Sequence, residues 1–323
     1  MKPKVSVVVP VYKVEKYIER CARSLFEQTL QEMEFIFVDD CTPDNSVDVI
    51  YKILDEYPHR KAQTRFLTNP KNRGQLQTRC YGYTHANGEY IGTVDSDDWI
   101  EPTAYESLYT IARKEAAECV IFSYHRDYAS HSEECVRVFP FTTGEDLVIN
   151  CYKFPFEFFM WGALVKNEKR LATILNRYYN KPDWEGVTMW EDVAVMLPYY
   201  YGTKHISYLG QCFYHYNKAN VNSSVNTQDE KKVYQALKVV DYLRKTMAAP
   251  ELDMTFHCLA LGAKGALLDI KGVKAWRNEH SEANKHIMKF TSIPLKVRLL
   301  LWLSAQGFSF PYYFVKSLRM KTA

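Results

Sequence analysis

The chain has no C-x-x-C pair among its eight cysteines, which stand at positions 21, 41, 80, 119, 135, 151, 212 and 258, and no short spacing of the kind that holds structural zinc. Reduced, mostly structural thiols of a cytosolic protein are the expectation. It has little excess of either charge: 41 Lys and Arg against 38 Asp and Glu leave a formal net charge of +3. That removes the general basic field a nucleic-acid partner calls for, so no nucleic acid is expected. No glycine follows the first apolar run, which continues Pro10-Val11-Tyr12-Lys13-Val14. The Gly-rich phosphate loop of a sugar nucleotidyltransferase and the G-x-G-x-x-G of a dehydrogenase are therefore both missing. The N-terminal run is too short to span a bilayer and has no small-residue cleavage site after it, so it reads as a buried strand rather than a signal peptide. No heptad seam marks a coiled coil.

What is present is a strand-helix rhythm. Val5 to Val9 is a β-branched run that suits a parallel strand covered on both faces, with Pro10 expected to stop it. Glu15 to Leu30 carries apolar residues near helical spacing, Glu34 to Val38 gives a second strand, and Thr42 to Asn45 supply turn and cap residues for a helix to about Tyr57. Arg65 to Thr68, Gln75 to Ala86 and Tyr90 to Val94 continue as strand, helix and strand. This alternation predicts an α/β fold with a Rossmann-like, mostly parallel sheet flanked by helices.

In open α/β sheets ligands collect outside the carboxyl ends of the strands. Pro10, Asp39-Asp40 and Asp95-Ser96-Asp97-Asp98 all fall at such ends, bringing five carboxylates to one rim. Carboxylates packed together raise one another's pKa, and a bound cation or hydrogen-bond donors must offset that. Asp-x-Asp after a buried strand suits a hard divalent ion held partly by substrate phosphates. The plainer alternative is that Asp97 and Asp98 cap a helix starting near Pro102.

Ser6-Val7-Val8-Val9-Pro10-Val11-Tyr12, Phe37-Val38-Asp39-Asp40-Cys41-Thr42 and Asp95-Ser96-Asp97-Asp98-Trp99 resemble, in order and spacing, the successive signature blocks of family 2 glycosyltransferases of GT-A fold, the inverting type of bacterial surface-polysaccharide synthesis. Asn72-Arg73-Gly74 with Arg79 and Gly82 resembles the family's N-x-G-x-x-x-A-R-N-x-G stretch, departing from it at Thr78 and Cys80. Trp190-Glu191-Asp192 is similar to the family's Glu-Asp motif at a helix start. The resemblance is specific over residues 4 to 125, looser to 225 and weak beyond.

It implies a metal-dependent hexosyltransferase that uses Mn²⁺ or Mg²⁺ and a nucleotide-sugar donor, a UDP-sugar first, with a saccharide hydroxyl as acceptor. By motif position Asp192 is the general base and Asp97, with Asp95, the metal ligand. Asp40 would accept a hydrogen bond from uracil, Asp39 would order the same loop, and Pro10, Tyr12, Asp95 and Ser96 would line the donor pocket. Arg79 either contacts the diphosphate or forms a structural ion pair. Asp98, Trp161 and Glu191 fall on the acceptor side, with a core position the alternative for Trp161 and a solvated helix start the alternative for the Glu-Asp pair. His215, in Phe213-Tyr214-His215-Tyr216-Asn217, reads as a structural hydrogen-bonder rather than a diphosphate contact.

Residues 1–228 are the expected catalytic domain, with 1–125 its nucleotide-sugar half and 126–228 its acceptor half; 229–323 is the expected helical extension, split near Pro250. Beyond Glu282 no acidic residue occurs, whereas Lys285, Lys289, Lys296, Arg298, Lys316, Arg319 and Lys321 flank the apolar stretch Leu299 to Val315. That stretch suits a segment peripheral to the cytoplasmic face of an inner membrane, with a polyprenyl-linked acceptor, or else a helix packed on the protein. The competing function is a non-catalytic carbohydrate- or nucleotide-binding protein on a degenerate transferase fold.

Overall fold

The computed structural model describes residues 2–220 and 229–313. The chain divides into two compact units, Met1–Glu145 with Phe158–Ser223, and Asp146–Glu157 with Ser224–Ala323.

The first unit is built on a nine-stranded sheet. Its opening half runs β1 (Val5–Val11), α1 (Ile18–Phe26), β2 (Met33–Asp39), α2 (Ser46–Glu56), β3 (Thr64–Thr68), α3 (Gln75–Thr84) and β4 (Tyr90–Thr93). The strands stand in the order β3-β2-β1-β4, all parallel. All seven residues of β1 are buried, as is expected of a parallel strand with covered faces. Beyond β4 the sheet is mixed. β5 (Trp99–Ile100), α4 (Ala104–Lys114), β6 (Cys119–Asp127), β7 (Ser132–Cys135), α5 (Gly144–Asn150), β8 (Ala163–Lys166), α6 (Lys169–Leu175), α7 (Glu191–Tyr201) and β9 (Ile206–Asn217) follow. β8 pairs antiparallel with β4 and β6, while β9 runs parallel to β6 and antiparallel to β5.

Because β1 lies between β2 and β4, the strand order reverses there, and the carboxyl ends of β1, β2 and β4 open a crevice of the kind where α/β folds bind ligands. Pro10 does not stop β1, which pairs with β2 as far as Val11↔Asp39. Its β4 pairing ends at Val8↔Thr93, and alternation turns the nitrogen of Pro10 toward that side, where no ladder bond is lost. Helix α1 begins at Ile18, not near Glu15, because the backbone N–H and carboxylate of Glu15 are engaged with Asp44 and Asn45 in the loop after β2.

The second unit contains α8 (Glu230–Met247), α9 (Asp253–Ala263), α10 (Leu267–Ile270), α11 (Gly272–Asn278) and α12 (Leu295–Ala305). The Asp229 carboxylate caps α8 by accepting from the N–H of Lys232 at 2.8 Å, and Pro250 lies between α8 and α9. Val239, Val240, Leu243, Phe256, Leu267 and Trp276 are among its buried side chains. Residues 146–157 belong to this unit: Thr255 Oγ1 donates to the carbonyl of Val148 at 2.7 Å and Thr291 Oγ1 to that of Lys153 at 2.8 Å. The Lys264 ammonium is buried and donates to the carbonyl of Glu279 (2.6 Å) and to Asn284 Oδ1 (2.7 Å), while Trp276 lies with its ring centroid 4.6 Å away.

Candidate active site

The acidic rim residues arrive on two strand ends and one helix start. β2 ends in Asp39-Asp40, β4 leads into Asp95 to Asp98, and α7 begins with Glu191-Asp192 after Trp190, whose left-handed φ of 63° turns the chain into the helix. Arg79, on α3, joins the last two groups. Its guanidinium, 2% exposed, donates to Asp95 Oδ1 at 2.6 Å, Glu191 Oε1 at 2.9 Å and Asp192 Oδ1 at 2.6 Å. Burial alone would depress its pKa, but the three carboxylates hold it well above the ordinary value, so the cation is permanent. Of the two alternatives for Arg79, the ion pair is the one seen.

One guanidinium cannot neutralise three carboxylates. Burial pushes Asp192 up to about 8; Arg79 opposes this, and Glu191 and Asp95 add to it. Burial likewise raises Glu191, with Arg79 opposing and Asp95 adding to it. The Glu-Asp pair is therefore a buried ion-pair partner and not a solvated helix start. Asp192 keeps 19% of its side chain exposed against 10% for Glu191, so it is the more accessible of the two.

Asp97 and Asp98 cap no helix. β5 intervenes, and α4 begins at Ala104 without a side-chain cap. Asp98 is buried, its Oδ2 accepting from the Tyr214 hydroxyl at 2.6 Å and its Oδ1 from the N–H of Asn217 at 2.8 Å, which ties this loop to β9. Both oxygens thus help to orient the loop. Asp97 Oδ2 accepts from Asn220 Nδ2 at 2.7 Å. Its pKa is raised by burial first and by Asp95 next, the signature of a carboxylate placed beside another without a full counter-charge. Hard carboxylate oxygens of this kind fit Mg²⁺ or Mn²⁺. Among the described residues no group of three His, Cys, Asp or Glu is arranged to hold an ion by itself, so a cation beside Asp97 and Asp95 needs further oxygens from a substrate.

At the end of β2 the two aspartates have different partners. Asp40 is buried and accepts from Asn69 Nδ2 and the N–H of Arg73, both at 2.8 Å, and from the N–H of Gly74 at 2.9 Å. Its carboxylate pins the loop after β3. Asp39 is half-buried and receives the N–H of Thr42 on Oδ1 at 2.8 Å, ordering its own loop. Gly74 has φ +83°, and a Cβ there would stand 3.0 Å from the Cα of Gly186. Only glycine lets this loop pack against the segment leading to α7.

Pro10 is buried and Tyr12 39% exposed. Ser96 is buried beside the acids. Trp161 is 3% exposed and stacked on Tyr214 at 4.2 Å and Phe159 at 4.4 Å, so it occupies a core position. His215 bridges Asp127 and Glu101 at 2.8 Å each, a structural hydrogen-bonder. Asn220 escaped sequence reasoning, since nothing about an asparagine 123 residues from Asp97 marks it as a partner.

A parallel half-sheet with an acidic rim at its switch point is extended by mixed strands and a second acidic helix start. Residues 6–140 match the model for glycosyl transferase family 2. Among curated relatives, the glycosyltransferase GlyG of Streptococcus pneumoniae is 33% identical over 149 residues, covering 46% of this chain and 47% of the relative. Chondroitin synthase of Escherichia coli is 32% identical over 125 residues, 39% of this chain and 18% of that protein. The chain thus spans about half the length, or less, of these relatives. Among solved structures, TarS 1–349 of S. aureus in complex with UDP-GlcNAc superposes with a TM-score of 0.61 at 17% identity, over 98% of this chain and 92% of that one. Mannosyltransferase PcManGT of Pyrobaculum calidifontis, in complex with GDP-Man and Mn²⁺, gives 0.52 at 16% identity, over 98% and 88%. The fold is GT-A, as the motif blocks implied.

Proposed function

We propose that the protein is an inverting glycosyltransferase that moves a sugar from a nucleotide-sugar, a UDP-sugar first, to a hydroxyl of a saccharide acceptor in surface-polysaccharide synthesis. The observation that carries this reading is the Arg79 hub: one buried cation holds the strand-end acid Asp95 and the helix-start acid Asp192 on a common centre. The family match and the UDP-GlcNAc complex of TarS support the choice of donor.

In this reading residues 1–125 take the donor and 126–228 the acceptor. Asp39, with Pro10 and Tyr12, receives the nucleoside, while Asp40 keeps the loop of Asn72 to Gly74 in place beneath it. Asp97 and Asp95 would hold Mn²⁺ or Mg²⁺, which supplies positive charge to the departing nucleoside diphosphate. Asp192, raised toward neutral pH, removes the proton of the acceptor hydroxyl as its oxygen attacks the anomeric carbon from the side opposite the leaving group, which inverts that centre. Arg79 keeps the Asp192 carboxylate oriented through Oδ1. Glu191, Asp98 and Ser96 act by positioning, and Trp161 by supporting β9 from the core.

The second unit adds a reading for location. α12 and the residues after it expose Leu295, Leu299, Trp302, Phe308 (61%), Phe310 (75%) and Tyr313 beside Lys289 and Lys296. No helix among the described residues is long and apolar enough to cross a membrane. Exposed aromatics with cations nearby suit the headgroup level of the cytoplasmic leaflet, where a polyprenyl-linked acceptor would be met. Lys316, Arg319 and Lys321, and the end of the apolar stretch at Val315, lie outside the described residues.

Isothermal titration with UDP, GDP, dTDP and CMP, in Mn²⁺ and then in EDTA, tests the reading. Metal-dependent UDP binding that disappears in Asp97→Ala is the expected outcome. Absence of nucleotide binding under every condition overturns the transferase and leaves the non-catalytic carbohydrate-binding alternative.

A further inference from the structure

On the flank of the acidic rim an open cleft of about 750 Å³ runs between α1 and β5, with Lys16, Arg20, Trp99 and Glu101 in its walls together with Asp97. That volume lies in the range of sites for small ligands and accommodates a saccharide residue with its substituent. The cleft opens beside the candidate metal ligand but was no part of the motif pattern.

Its walls hold an aromatic stack. The Arg20 guanidinium carbon stands 3.0 Å from the centroid of Trp99. His215 stacks on Trp99 at 4.9 Å and 14°, and His125 on His215 at 4.7 Å and 19°. An indole with a guanidinium that close and an imidazole parallel to it has both faces covered. Asp127 and Glu101 in turn fix His215. Arg20 is therefore held against the face of a ring that is itself stacked on His215.

The carboxylates in the walls have partners and two of the cations do not. Glu19 pairs with Arg23, Glu27 accepts from the Tyr57 hydroxyl, Glu101 receives His215, and Asp97 receives Asn220. Arg23 is taken by Glu19 and Glu56. Among the described residues Arg20 has no hydrogen-bond acceptor, Asp127 acting on it only as a more distant charge, and Lys16 has no carboxylate within ion-pair distance. A pre-oriented guanidinium fork with unspent donors is matched best by a pair of anionic oxygens.

Resting on the transferase reading, we propose that this cleft recognises an anionic group, carboxylate or phosphate, carried by the saccharide acceptor, with Arg20 as the fork and Lys16 as the second cation. The acceptor is then an acidic sugar or a sugar phosphate, seated by its charge so that its hydroxyl faces the reacting end of the donor beside Asp97.

The test is calorimetric titration of the full chain, saturated with UDP and Mn²⁺, with glucuronic acid, glucose 6-phosphate and neutral glucose. At least one anionic sugar binds roughly tenfold or more tighter than glucose, the scale of a charge-assisted bidentate contact, and which of the two does so separates the carboxylate from the phosphate. Arg20→Gln abolishes the preference. Lys16→Gln, which touches no ring and keeps the stack, weakens it a few-fold. Equal binding of all three sugars overturns the proposal, as does a preference that survives in Arg20→Gln. Loss of UDP binding in Arg20→Gln also overturns it, by moving Arg20 to the donor. Failure of the wild-type chain to bind UDP removes the transferase reading instead, which the nucleotide arm reports separately from the sugar arm.

Discussion

Arg79 in the first unit and Lys264 in the second are both withdrawn from solvent, and each is met by three acceptors, yet the acceptors are of opposite kinds. Arg79 faces three carboxylates, and its pKa stands well above the ordinary value. Lys264 faces the carbonyls of Glu279 and His280 and the amide oxygen of Asn284, and burial lowers it to about 8 against the modest pull of Glu279. Equal burial thus produces a surplus of negative charge in one place and a marginal cation in the other. The first arrangement leaves carboxylates whose pKa values stand raised; the second is complete in itself and fastens α9 to the segment after α11.

The contrast is broken most severely at Asp192. Asp192→Asn removes the base but also relieves the crowding around Arg79, so turnover falls about a hundred- to ten-thousandfold while UDP binding changes little. A titration and a turnover assay on the same preparation check this, and near-normal turnover sinks the assignment. Wild-type turnover, being dependent on a deprotonated Asp192, is present at alkaline pH and falls as the pH drops through about 8.

Next in size is Arg79→Met, which strands three buried carboxylates and costs about 3–5 kcal/mol of stability, read from the denaturant midpoint at neutral pH. Lowering the pH enough to protonate the carboxylates narrows the deficit.

Lys264 gives the opposite pH response. Its folded pKa is depressed from 10.5 to about 8, so its contribution is fully present above 10.5 and is lost as the pH falls through about 8. The pKa gap corresponds to about 3 kcal/mol at most. The wild-type stability difference from Lys264→Met should therefore climb between pH 8 and 10.5; a flat difference would falsify the view that burial dominates at this lysine.

The smallest effect belongs to cations that are not buried at all. Lys289→Gln and Lys296→Gln should each weaken sedimentation with anionic vesicles by about 1 kcal/mol, roughly fivefold. Wild-type chain that ignores such vesicles removes the membrane reading.

The same contrast explains what could be read from the sequence. β1, β2 and β4 announce themselves because parallel strands with two covered faces are uninterrupted apolar runs, and each ends in the residues that form the rim. The division of Asp40 from Asp39 was hidden, because it depends on donors from the loop around Gly74, more than 30 residues away. Arg79 could be singled out by motif but not assigned, since two of its partners lie 112 and 113 residues downstream on a different element. The cleft beside α1 was invisible for the same reason: Arg20, Trp99 and His215 share no local pattern, and only the pairing of β5 with β9 brings the last two together.

The residence of 146–157 in the second unit has a consequence for how the chain is made. Val148 leaves the ribosome 107 residues before Thr255, whose hydroxyl its carbonyl accepts. At about 5–20 residues per second that is an interval of roughly 5–20 s. The first unit can close around its sheet during that time, but Val148 and Cys151 wait for Thr255, to which both are hydrogen-bonded. A chain cut after residue 223 makes the wait permanent, so a soluble core of this protein has to lose the strip as well as the tail.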